Sequence, residues 1–327
     1  MFKHYFTIAV RNLQQQRAYS FINIVGLATG MSIALVIGLW SADELSYDKS
    51  YPEHERIAQV MQNQQQVSQI AKDYLRKLRG AEVKDADLAY TGETISSALQ
   101  PFIKKGYEDV FAQTAILTYP DEQLLVTGDK SISRQGSWAE YTFPLIFGYH
   151  FVSGSAESLR DPSTALISRS TAIALYGSEN AVGKTLKVNN KVPFTVGGVF
   201  ADLPENTSFH DIAFFASLAN QNVNWLTTNT NFADHNCRMY AKLAGKATVD
   251  QATARIKNIC TPYVKNSIET YTVVPFEDVH LHYNESYGAM LGGRIGFVRL
   301  LATIGVFILL LACINFMNLS TARSEKR

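Results

Sequence analysis

Two uncharged stretches decide what this chain can fold into. The first, residues 18–42, carries no charge between Arg17 and Asp43, and the second, residues 300–322, follows Arg299 without one. Each is longer than the roughly 20 residues a helix needs to cross about 30 Å of hydrocarbon. A charge at the centre of such a helix would cost about 2.5–3.5 kcal/mol on insertion scales, and neither stretch pays it. A buried core helix fits runs of roughly 10–14 residues better. A cleaved signal peptide fits poorly too, because Trp40 falls where a small residue would be needed. Both stretches are therefore expected to span a membrane.

Most of the remaining chain must live in water. The hydrophobic fraction of the 327 residues is 46% and the mean hydropathy is −0.05. Thirty basic and 29 acidic residues leave a formal charge of +1, which gives no field to draw in nucleic acid. Lys3, Arg11 and Arg17 precede the first stretch, while Asp43, Glu44 and Asp48 follow it. Basic residues stay inside, so the N-terminus is expected in the cytoplasm and the long middle segment outside it. Residues 1–17 read as an amphipathic helix, with Phe2, Tyr5, Phe6, Ala9 and Leu13 on one face. Such a face lies on the membrane surface or packs on protein. The expected layout is an interfacial helix (1–17), a span (18–42), an outer domain (43–298), a second span (299–322) and a short cytoplasmic tail (323–327).

Within the first span Gly26, Gly30, Ala34 and Gly38 recur every fourth residue. Small residues let a second helix approach closely, although glycine is also common in membrane helices generally. Asn315 and Asn318 share a face of the second span, pointing either at a partner helix or into the interface.

The outer segment mixes strand and helix signals. Residues 111–119, 163–168, 234–243 and 271–276 read as strands. Residues 169–176 read as a helix capped by Ser168 and ended by Gly177. Residues 184–188 and 192–199 alternate around Asn189-Asn190-Lys191, a hairpin signal. Residues 250–264 read as a helix interrupted by Pro262, and Gln62–Gln66 as a strand end. The order implies an α+β domain with mixed sheets in two lobes.

No catalytic constellation is visible. Gly183-Lys184-Thr185 resembles the end of a phosphate-binding loop, but Ser178 stands where the first glycine belongs and a strand follows. His280 and His282, two apart, would share a strand face, and no other Cys or His pair completes a zinc spacing. Glu108 and Asp109 are adjacent and do not converge as an acid/base couple. No G-x-S-x-G elbow is present. No enzyme, cofactor or metal is expected. Cys237 and Cys260 leave a disulfide open, since sequence cannot set their distance.

Four segments look familiar. AVRNLQQQRAYSFINIVGLATGMSIALVI (9–37), DELSYDKSYPEHERIAQV (43–60), DPSTALISRSTAIALYGSENAVGKTLKVNNKVPFTVGGVFADLPENTSF (161–209) and LLACINFMNLSTARSEKR (310–327) resemble, in order, MacB/FtsX-type ABC-transporter permeases of the Bacteroidetes branch. The resemblance implies a type VII architecture in the inner membrane, with a porter-like lobe and an inserted second lobe in the periplasm. It implies a separate cytoplasmic ABC ATPase subunit, a second permease copy or second half, and mechanical transmission of ATPase closure to the outer domain. Antimicrobial peptides, antibiotics and lipoproteins are among the cargoes proposed for such proteins. Family members continue past the position of Arg327, so a fragment of a longer permease is expected. The competing reading is a membrane-anchored ligand sensor, with an anchored enzyme third.

Overall fold

The computed structural model describes residues 17–64, 77, 90–264, 269–283 and 293–324. The reading of residues 1–16 as an interfacial helix, and the last three residues of the tail, lie outside them. Two compact units divide the chain. One comprises residues up to Leu45 together with those from Arg294 onward, and the other is Ser46–Gly293.

The first unit holds two long helices, α1 (Arg17–Leu45) and, at the end of the chain, α8 (Ile295–Ser324). Both are long and apolar enough to cross a membrane, and only 11% of either apolar window is buried. Phe21, Leu35, Val36 and Leu39 on α1 are exposed, as are Phe297, Phe307 and Leu311 on α8. A core helix of a water-soluble protein would hide such side chains.

Among the described residues the second unit is an α+β domain of thirteen strands. In chain order these are β1 (Ile57–Gln64), β2 (Tyr90–Gly92), β3 (Ile95–Ser96), β4 (Phe111–Leu117), β5 (Asp121–Thr127), β6 (Lys130–Ala139), β7 (Phe151–Gly154), β8 (Thr164–Ser168), β9 (Thr185–Val188), β10 (Val192–Phe200), β11 (Ile212–Ser217), β12 (His235–Leu243) and β13 (Glu269–Pro275). Between them lie α2 (Gln100–Gly106), α3 (Thr142–Ile146), α4 (Arg169–Tyr176), α5 (Asn224–Thr227), α6 (Val249–Ile256) and α7 (Phe276–His282).

Two lobes share this sheet. In the first, β4, β12, β1 and β13 run antiparallel in that spatial order. α2 and α6 cover it over a core that includes Val60, Leu99, Met239 and Ile256. In the second, β6, β11, β8, β10, β9 and β5 pair around a ring that closes on β6. Closure removes the open edges that would otherwise pair with other chains. β8 and β11 have every residue buried, and each has a parallel neighbour. Strands of that kind read as unbroken apolar runs, whereas β9 alternates exposed and buried. β6 joins the lobes: its length pairs with β5, and Ala139 at its end pairs with Leu117 of β4. Beneath the junction lies an aromatic core of Tyr51, Phe143, Phe147, Phe209, Tyr240 and Phe276.

Local signals in the sequence hold where short-range chemistry sets the backbone. Ser168 accepts from the Thr171 N–H at the start of α4, and Gly177 takes φ 72° at its end. Asn189 and Asn190 take φ 52° and 56° between β9 and β10, the left-handed pair at the centre of a turn that the Lys191 N–H closes onto the Val188 carbonyl at 3.1 Å. Two expectations need correction. α6 opens with a Thr248–Gln251 capping box but stops at Ile256, six residues before Pro262. The Lys257 carbonyl there accepts the Tyr271 N–H from β13, so the sheet takes an acceptor the next helical turn would use. His280 and His282 lie on α7 rather than a strand. Glu277 and Asp278 in its first turn and the histidines in its last complement the helix dipole, a signal that strand reading overlooked.

Candidate functional site

On α1 the positions turned inward are Asn23, Leu27 with Gly26 half-buried beside it, Gly30, Ala34, Ile37, Ser41 and Glu44. On α8 they are Val298, Leu301, Gly305, Ile308 and Ala312. Steps alternate between three and four residues on both helices, the 3.5-residue repeat of a left-handed helix pair. A Cβ on Gly30 would stand 2.5 Å from the Ala312 Cβ, and one on Gly305 would stand 3.1 Å from Ile37. The helices are therefore antiparallel and close at these glycines. Glu44, in the last turn of α1, pairs with Arg294 just before α8 at 3.0 Å.

The four-residue stripe shares Gly26, Gly30 and Ala34 with this face and leaves it at Gly38. Each four-residue step rotates about 40° beyond a full turn, so Gly26 and Gly38 differ by about 120°. Gly26 faces the Asn315 amide, 3.7 Å from where a Cβ would be, while nothing lies within 4 Å of Gly38. Ala34 is half-buried. Asn318 lies within α8, and its side chain is outside the described residues. Sequence reading passed over Asn23 and Ser41, whose side-chain oxygens are buried with no hydrogen-bond partner among the described residues. Gly30→Leu is expected to lower the thermal stability of the nanodisc-embedded chain by several degrees, while Gly38→Leu leaves it unchanged. Equal melting curves for the two variants would refute the seam.

In the domain, the residues that follow α1 are fixed by a loop from the other end of the fold. Asp48 is fully buried at φ 62° and accepts from Ser208 twice, 2.7 Å from its N–H and 2.6 Å from its hydroxyl. The Asp48 N–H donates to the Asn206 carbonyl at 3.0 Å. The Asn206 amide donates to the Ser46 hydroxyl at 2.9 Å, and the Tyr47 hydroxyl to the Thr207 carbonyl at 3.2 Å. Five hydrogen bonds thus join residues 46–48 to residues 206–208. Burial pushes the Asp48 carboxyl up to about 6, against the pull of Ser208 and nearby His210.

α7 is the common support. Tyr47 stacks on His280 with centroids 3.4 Å apart and planes 7° from parallel. The His54 imidazole meets Glu277 at 2.7 Å. Phe276 anchors the helix in the aromatic core, stacked on Phe209 at 5.4 Å. At the other attachment, Gly293 backs onto the end of α7 so tightly that a Cβ would lie 2.5 Å from the Leu281 carbonyl. The chain just after α1 and the chain just before α8 therefore meet the same seven-residue helix. His282 pairs with Asp278 at 3.8 Å, so the two histidines serve separate contacts.

The remaining sequence candidates fall elsewhere. Gly183 takes φ 83°, and the Lys184 ammonium sits over the Tyr176 ring at 4.9 Å, leading into β9. Asp109 pairs with Arg255 at 3.1 Å, which holds its carboxyl below the usual range. Cys237 and Cys260 are buried free thiols, and Cys313 is exposed. Cys260 lies 3.3 Å from the Tyr271 hydroxyl. No group of three or more His, Cys, Asp or Glu among the described residues could hold a metal ion. Asp48 and Ser208 stand 160 residues apart, so nothing in local sequence could join them.

Comparison with known proteins now bears on this arrangement. A domain assigned to a permease protein from Porphyromonas gingivalis shares the fold, with a TM-score of 0.53 and 21% identity over 69% of this chain and 93% of that one. More remote are the periplasmic region of MacB from Actinobacillus actinomycetemcomitans (TM-score 0.42, 14% identity, 65% of this chain and 87% of that one) and the extracellular domain of the noncanonic ABC-type transporter YknZ from Gram-positive bacteria (0.40, 11%, 67% and 99%). No curated protein matches the chain. The family model of the MacB-like periplasmic core domain matches residues 20–259, running from within α1 through the α+β domain. The chain therefore belongs to the family of the MacB-like periplasmic core domain, the domain of MacB/FtsX-type permeases.

Proposed function

We propose that this chain is the membrane subunit of an ABC transporter, carrying motion from a separate cytoplasmic ATPase through α1 and α8 to a domain on the far side of the inner membrane. The observation that carries the reading is the double attachment at α7. A displacement of either polypeptide connection reaches the aromatic core through Tyr47, Gly293 and Phe276. Close-packed interiors pass on such displacements rather than absorb them. The two-lobed domain is then the moved part, and the reading gives the chain no catalytic role of its own. The basic residues before α1 put the N-terminus in the cytoplasm. Gly26, Gly30, Ala34, Gly38, Asn315 and Asn318 are proposed as helix-packing positions, with Gly38 and its exposed neighbours free to meet a second copy or second half.

The test is affinity isolation of the tagged protein from its native membranes in mild detergent. An ATP-binding subunit should co-purify in comparable amount. Its absence, with the chain intact and monodisperse, would refute the coupling.

A further inference from the structure

We propose that the cleft between the two lobes is a binding site for a neutral carbohydrate, a pyranose ring laid against tryptophan. The cavity measures about 290 Å³ and draws its walls from both lobes. Two of the three tryptophans in the chain line it, Trp138 on β6 and Trp225 on α5. Trp138 packs against the cores of both lobes, so it marks the floor. Trp225 is 52% exposed and makes no ring contact with any other described residue. The indole stays half in water on a four-residue helix, and its flat face suits the C–H face of a sugar.

The polar lining selects among ligand classes. Asp121, Gln123 and Asn236 supply a carboxylate and two amides. Gln123 already donates to Asp121 at 3.3 Å and accepts from Asn189 at 2.6 Å. Asn236 donates to Asp234 at 2.9 Å and accepts from the Ser97 N–H at 3.0 Å, so each amide keeps one hydrogen and one lone pair for a vicinal hydroxyl. No lysine or arginine lines the cavity, which disfavours an anion. A cation is disfavoured by Arg238, whose guanidinium lies 4.4 Å over the Tyr119 ring and has already taken that ring's negative face. Arg238 is itself paired with Glu93 at 3.1 Å, and the Asp121 carboxylate accepts from the Gln123 amide at 3.3 Å. What remains is a neutral, flat ligand rich in hydroxyls. A cavity near the small end of the usual range of about 300–1,000 Å³ takes one ring, with the rest of a chain outside. This site does not depend on the transport reading, and either can fail alone.

The experiment is tryptophan fluorescence of the full chain in lipid nanodiscs, free of sugar-headed detergent. The probes are methyl glucosides, N-acetylglucosamine and cellobiose, with choline chloride and inorganic phosphate alongside. At least one sugar should give a saturable shift at millimolar concentration, weakened about tenfold or more in Trp225→Ala and also in Asp121→Asn. Circular dichroism should show both variants folded, since both residues are exposed. No saturable response to any sugar, an undiminished response in Trp225→Ala, or a response to choline or phosphate instead would each overturn the proposal.

Discussion

Phe143→Ala should remove about 3–5 kcal/mol from the stability of the α+β domain. Phe143 is wholly buried, and its ring lies within 4.8–6.1 Å of five others: Phe147, Tyr149, Phe209, Phe215 and Tyr240. These come from the turn after α3, the loop before β11, β11 itself and β12. Truncation leaves a cavity at the point where the lobes meet, and rings held from four directions cannot collapse into it. Domains of ordinary size have about 5–15 kcal/mol in all, so the loss is a large fraction. Leu145→Ala, two residues along the same short helix and 37% exposed, should cost under about 1 kcal/mol. Urea unfolding of the nanodisc-embedded chain, followed through Trp138 and Trp225, measures both. A Phe143→Ala midpoint no lower than that of Leu145→Ala would mean the aromatic core is not where stability resides.

Asp48→Asn should abolish a pH dependence of stability of about 3 kcal/mol. The folded carboxyl titrates near 6 and its ordinary value is 3.8, so folding favours the protonated form. The stabilisation from that preference is complete below the unfolded value and is lost as pH rises through about 6. Two units at about 1.4 kcal/mol each give the magnitude. Asparagine stays neutral throughout, still accepts from Ser208, and tolerates the left-handed backbone at this position. The wild type should therefore fall relative to Asp48→Asn between pH 4 and pH 7 and run parallel to it below pH 4. Every other ionisable group is common to both proteins, so the difference between them isolates Asp48. A constant difference across that range would place the carboxylate in water rather than under the Ser208 loop. Asp48→Ala should be worse at every pH, because two Ser208 donors lose their acceptor.

These two residues also mark the limit of what sequence could show. The apolar helices, the capped helix after Ser168 and the Asn189-Asn190 hairpin were legible, because each is set by residues within one turn or one span. The 3.5-residue seam was legible in principle but was masked by the more conspicuous glycines, which follow a period of four. The aromatic core was not legible: its members are scattered from Tyr51 to Phe276 with no period, and only the closing of the sheet brings them together. In sequence Asp48 is one more acidic flank of the span, and its partner loop lies 160 residues away. His280 was misplaced because a strand running to Pro275 gives way to helix at the next residue, a boundary that alternation cannot locate.

The central claim is that lipid surrounds α1 and α8. Membranes from cells expressing the chain, washed in alkaline carbonate and sedimented, test it most directly. The account predicts that the chain stays in the pellet and is released only by detergent. Recovery of a folded, monodisperse chain in the carbonate supernatant would contradict it.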